Sequence, residues 1–119
     1  MIKDGIPTVM VSDMNRAVEF YTNTLGLQLE YRAGDHWAQV KAGQCTIGLH
    51  PAGSKVGLAG SRGAISIGLT VSEDIERVVQ SLQGKGVKFE GPVKDDGMVR
   101  LAFFGDPDGN ELYLCEVKS

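Results

Sequence analysis

A chain of 119 residues with 42% apolar and 23% charged residues has the balance of a globular domain, long enough to bury a core. Its net charge of -3 and pI near 5.3, with no Lys/Arg cluster interleaved with aromatics, argue against nucleic acid as a partner. No run approaches the roughly 20 apolar residues of a membrane helix. Met1-Ile2-Lys3-Asp4-Gly5 has no apolar secretion core, so a cytoplasmic protein with no membrane partner is expected.

In chain order, Ile6 to Val11 reads as a strand ending at Ser12-Asp13, where Asp13 can accept hydrogen bonds from the free N–H groups of a helix start. Met14, Val18, Tyr21 and Leu25 then form one apolar helical stripe, with Gly26 as the left-handed stop. Three strand-like runs follow, Leu27 to Arg32, Trp37 to Lys41 and Cys45 to His50, separated by Gly34-Asp35 and Gly43. Pro51 to Gly63 turns to glycine, serine and alanine and reads as a flexible connection.

The second half repeats the order. Ala64 to Val71 predicts a strand, and Ser72-Glu73-Asp74 with Glu76 marks a helix start. Ile75, Val78, Val79 and Leu82 form the helix stripe, ended by Gly84 and Gly86. Val87 to Glu90, Met98 to Phe104 and Glu111 to Val117 supply three more strands. At a spacing of 60, Val11-Ser12 meets Val71-Ser72, Gly26 meets Gly86 and Glu30 meets Glu90, which sets two βαβββ units in register. One domain, 1–119, is expected, made of module 1 (3–50), a linker (51–63) and module 2 (64–117).

Strand alternation separates two faces. Ile47, Leu49, Ile65, Ile67, Leu69, Leu112 and Leu114 face the helices as core. Thr8, Met10, Thr46, Gly48, His50, Ser66, Gly68, Thr70, Glu111, Tyr113 and Cys115 face the other way. Cys45 and Cys115 lack CxxC spacing and read as reduced thiols, their proximity in the fold left open.

The run Val11-Ser12-Asp13-Met14-Asn15-Arg16-Ala17-Val18-Glu19-Phe20-Tyr21 through Leu25-Gly26-Leu27, with Phe103-Phe104-Gly105-Asp106-Pro107-Asp108-Gly109-Asn110, resembles the glyoxalase/bleomycin-resistance/extradiol-dioxygenase superfamily, also called vicinal oxygen chelate. The resemblance spans nearly the whole chain. It implies an α+β fold of two βαβββ modules with curled mixed sheets forming a cavity, and a homodimer whose cavities draw on both chains. It also implies, for the enzymes, one divalent metal held by side chains from the first and last strand of each module. The matching positions here are Ile6, Gly48, Ser66 and Tyr113. A transition-metal site needs about three ligands from His, Glu, Asp or Cys, and these four positions supply none, so no metal and no cofactor is expected.

Candidate ligand-binding residues are Thr8, Met10, Trp37, Gln39, Gly48, His50, Ser66, Arg100 and Tyr113. Trp37 can stack on a planar or cationic ligand or pack in the core. Gln39 shares its face. Arg100 can bind a carboxylate or pair with an acidic neighbour such as Asp95. His50 is the acid/base candidate, against a strand-end histidine near solvent, and Tyr113 either donates to a ligand oxygen or fills the vacant metal position. His36 falls in a turn. Gly57 to Gly63 lacks the ending of a phosphate loop, and Asp106 to Asn110 lacks the length and closing Glu of a calcium loop.

The expected function is metal-independent small-molecule binding of the bleomycin-resistance type, sequestering a toxic compound or antibiotic. The alternatives are a lyase, isomerase or dioxygenase of the same superfamily, metal-free with His50 and Tyr113 as acid/base or with relocated metal ligands, and a regulatory domain keeping only the fold.

Overall fold

The computed structural model describes residues 1, 3–53, 59–60 and 65–118. The chain divides into two compact units, Met1–Gly60 and Ser61–Ser119. Much of the expected linker, 54–58 and 61–63, lies outside the described residues, as does Ala64 at the expected start of the second module.

The first unit opens with β1 (Thr8–Val11) and α1 (Met14–Glu19), followed by β2 (Gln28–Ala33), β3 (Trp37–Ala42) and β4 (Cys45–Pro51). Asp13 caps α1 by accepting from the Arg16 backbone N–H at 3.0 Å. Met14, Ala17, Val18 and Tyr21 are buried, while Leu25, the last of the expected stripe, is half-buried. The expected helix does not run as α-helix to Leu25. From Phe20 to Thr24 it widens into a π-turn, with Leu25 N–H donating to Phe20 O at 2.9 Å. Thr22 Oγ1 donates to the Val18 carbonyl at 2.6 Å, taking up the acceptor its own N–H would use in an α-helix. Gly26 then turns the chain at φ 76°, a conformation that carries a steric penalty with a Cβ.

The second unit contains β5 (Ile67–Thr70), α2 (Ile75–Gly84), β6 (Lys94–Asp95), β7 (Val99–Gly105) and β8 (Glu111–Val117). Ile75, Val79 and Leu82 are the buried stripe of α2. Asp74 Oδ1 accepts from Glu76 N–H at 3.2 Å, and Glu116 Oε1 reaches across from β8 to accept from Ile75 N–H at 2.8 Å. Two donors at the helix start are thereby satisfied by carboxylates. The strand expected over Val87 to Glu90 reduces to one bridge, Phe89 with Phe104. Pro92, which has no N–H, follows shortly after, and the outermost pairing falls instead on the two residues of β6. Ile65, expected in the core, is 70% exposed and precedes β5.

Each unit carries one mixed four-stranded sheet, ordered β1-β4-β3-β2 and β5-β8-β7-β6. In both, the first strand runs parallel to the last, and the remaining neighbours are antiparallel. The repeated order agrees with the internal repeat in the sequence. The expectation of curled, cavity-enclosing sheets is overturned. Among the described residues β1 and β2 are the free edges of one open sheet and β5 and β6 of the other, with no ladder joining either pair of edges. Four strands are too few for closure around an interior, which takes about eight. Ala38, Val40, Ile47 and Leu49 fill the helix side of the first sheet, and Ala102, Phe104, Leu112 and Leu114 that of the second. No helix among the described residues is long and apolar enough to cross a membrane.

Candidate functional site

Pairing register puts Thr8 beside Gly48, Gly48 beside Gln39, and Met10 beside His50, so these residues share the face of the first sheet opposite its core. Trp37, two residues before Gln39, joins them. Its ring lies across Gly48, so that a Cβ at residue 48 would run into the indole carbons and stand 2.9 Å from Thr8 Oγ1. The glycine thus admits an aromatic ring onto the strand. Trp37 Nε1 donates to Gln39 Oε1 at 2.8 Å, fixing the ring from its polar side.

The next link was not legible in the sequence. Between Leu29 and Tyr31 the register of β2 against β3 slips, leaving Glu30 as an extra residue. A bulge of this kind re-aims a side chain that strict alternation would send elsewhere. Gln39 Nε2 donates to Glu30 Oε1 at 3.1 Å, and Thr46 Oγ1 donates to the same oxygen at 3.2 Å. Beyond the bulge, Tyr31 pairs directly with Gln39 and is 56% exposed on the same face. Trp37, Gln39, Glu30 and Thr46 form a continuous hydrogen-bonded row.

His50 meets Trp37 edge to face, with ring centroids 6.2 Å apart. Its Nδ1 lies 2.8 Å from the Pro51 carbonyl. A carbonyl can only accept, so Nδ1 carries the proton in this contact and Nε2 is the ring nitrogen left to face a ligand.

On the second sheet, Gly68 pairs with Tyr113, whose ring lies over the glycine as Trp37 does over Gly48. Phe103 stacks beside Tyr113 at 5.2 Å, and Lys94 Nζ stands 5.7 Å from the centre of the Phe103 ring. Ser66 Oγ is buried without a hydrogen-bond partner among the described residues. Arg100 pairs with Glu116 on the opposite face of β7 and β8 from Phe103 and Tyr113. There it reaches Asp74 at 3.3 Å, Glu76 at 3.4 Å and Glu116 at 3.4 Å. Of the predicted site residues, the structure brings Thr8, Met10, Trp37, Gln39, Gly48 and His50 onto one face. It sets Arg100 away from the face of Tyr113. A pocket of about 260 Å³ between α2 and residues 89–93, floored by Val79, Phe89 and Pro92, involves none of the predicted residues.

The donor set does not fit a divalent metal. Ile6 is 46% exposed ahead of β1, Gly48 lies under the indole, and Ser66 and Tyr113 offer only neutral hydroxyls. Among the described residues no group of three or more His, Cys, Asp or Glu is placed to hold a metal ion.

Residues 6–114 match the model of the Glyoxalase/Bleomycin resistance protein/Dioxygenase superfamily. The chain is 31% identical to the lactoylglutathione lyase of Arabidopsis thaliana over 89% of its own length, but spans only 41% of that enzyme. It is 29% identical to the uncharacterized protein YraH of Bacillus subtilis, covering 88% of this chain and 92% of YraH. Among solved structures, TnmS3, an antibiotic-binding protein from Streptomyces sp. CB03234, is 29% identical with a TM-score of 0.78, covering 99% of both chains.

Proposed function

The chain belongs to the glyoxalase/bleomycin resistance protein/dioxygenase superfamily, and we propose that it acts there as a metal-independent small-molecule binding protein that sequesters a toxic compound or antibiotic. The observation that carries this reading is the Trp37 indole lying over Gly48, one of the four positions where a metal enzyme of the family needs a ligand. An aromatic plate held by Gln39 and flanked by His50 suits the flat surface of a ligand rather than a coordination sphere. The likeness to an antibiotic-binding protein over the full chain supports it.

The experiment is a thermal-shift screen of planar antibiotics and metabolites on metal-stripped protein, read in parallel by Trp37 fluorescence. A binder should raise Tm and change the emission of this one tryptophan. No response to any compound would defeat the reading. We extend it to a single domain made of both modules and to a homodimer, which light scattering tests.

A second reading, a metal-free lyase or isomerase, is favoured by one feature: His50 Nδ1 is tied to Pro51, leaving Nε2 as an available base. It predicts turnover by metal-stripped protein of a substrate such as the lactoylglutathione of the plant relative's name, lost in His50→Gln.

A further inference from the structure

We infer that the ligand of the first-sheet face is a planar aromatic cation, recognised by the carboxylate of Glu30 beside the rings of Trp37 and Tyr31. This rests on the proposed ligand-binding role and names the chemistry of the same site.

Gln39 and Thr46 both donate to Glu30 Oε1, while Oε2 has no partner among the described residues. The carboxylate is therefore oriented, with one oxygen spent on the scaffold and the other presented outward. No salt bridge among the described residues reaches it. Lys41, the cation whose strand position adjoins Thr46, makes no ion pair with it. The bulge that puts Glu30 on this face also sets Tyr31 opposite Gln39, so Tyr31 and Trp37 both stand on this face toward the Trp37 end of the row from the carboxylate.

Lys41 shares this face beyond Thr46 without pairing with Glu30, so the charge next to the rings is that of the carboxylate. Aromatic faces carry negative quadrupole density and attract cations, and a carboxylate oxygen without a partner adds a full charge. The positive edge supplied by the indole N–H is already spent on Gln39. A planar anion stacked on these rings would meet the Glu30 carboxylate, and a neutral ring would gain only stacking.

Three bicyclic probes that differ in charge test this: N-methylquinolinium as cation, quinoline as neutral ring near neutral pH, and quinoline-6-sulfonate as anion. Trp37, the single tryptophan, reports binding. The cation should bind about tenfold tighter than quinoline, and the anion weakest. Raising the salt concentration should erode the cation's advantage. Glu30→Gln keeps an acceptor oxygen for Gln39 and Thr46 while removing the charge. It should abolish that advantage and leave quinoline affinity within about twofold. Quinoline binding as tightly as the cation, or a preference that survives Glu30→Gln, overturns the inference and leaves the binding role standing. Quenching by none of the three overturns both.

Discussion

The Trp37 indole occupies the space that a side chain at Gly48 would need. Gly48→Ala therefore forces a choice between losing the ring's seat and shifting the strand. The Trp37 Nε1 bond to Gln39 opposes an easy swing of the ring. Overpacking of this kind costs about 1–3 kcal/mol. The expected outcome is a lower denaturant midpoint, altered tryptophan emission and weaker ligand binding. Wild-type emission in the variant would mean that the ring does not rest on the glycine.

Metal removal should change nothing. With Ile6, Gly48, Ser66 and Tyr113 at the four family positions, there is no anionic or imidazole ligand for a divalent ion to recruit there. Chelator treatment should leave Tm and ligand affinity unaltered, and added zinc or nickel should give no stoichiometric binding by calorimetry. A tight one-to-one metal complex would contradict this account of the site.

Glu116 ties β8 to the start of α2 through the Ile75 N–H, and Arg100 joins the same carboxylate at 3.4 Å. Glu116→Ala should strip a cap and leave Arg100 with only the exposed partners Asp74 and Glu76. A loss of about 1–2 kcal/mol is expected from urea unfolding. Ligand binding should be untouched, because Arg100 and Glu116 lie on the helix side of the second sheet. A substantial loss of affinity in a stably folded Glu116→Ala protein would show that assignment to be wrong.

These three cases divide by what a sequence can carry. Asp13 was legible as a cap because capping is a local hydrogen bond, Asp74 only as one of the acidic residues marking a helix start, and the Trp37–Gln39 face because strand side chains alternate with a period of two. Glu30 was not, because one inserted residue in β2 breaks that period without any mark in composition. Arg100 was open to either reading because its partners come from α2 and β8, which only the folded chain brings near it. The π-turn at Phe20–Thr24, where the Thr22 hydroxyl bonds the Val18 carbonyl, leaves the apolar stripe unchanged and so gives no signal in it.

Asp95 offers a pH test. The Lys118 ammonium bonds both of its oxygens, at 2.7 and 2.8 Å, and the Gly97 N–H donates at 3.0 Å. The hydrogen bond from Lys118 is the main cause holding the carboxyl below its ordinary value of 3.8, with Gly97 adding to it. Because the folded-state value is depressed, the stabilisation is present above about pH 3.8 and is lost as pH falls through the folded value. In Lys118→Met, the Asp95 carboxyl followed by NMR should titrate closer to 3.8 while staying below it, since Gly97 remains. Asp95's share of the stability lost on acidification should shrink in parallel. An unchanged titration would remove Lys118 as the cause.

The turn before β8 is a buried polar unit of the second module. Asp106 Oδ1 accepts from the backbone N–H groups of Asp108 and Asn110, both at 2.9 Å, and Oδ2 accepts from Asn110 Nδ2 at 2.9 Å. Asp106 is 6% exposed and Asn110 4%, so water has little access to replace a lost partner. Asn110→Ala deletes the donor to a buried carboxylate oxygen, and the desolvation penalty then falls on Asp106. A cost of about 1–3 kcal/mol is expected. Asn110→Asp should be at least as harmful, because it sets two buried carboxylates against one another. Chemical denaturation of both variants decides the matter. If either retains wild-type stability near neutral pH, the turn is not held by this pair, and the start of β8 owes its position to Leu112 and Leu114 in the core instead.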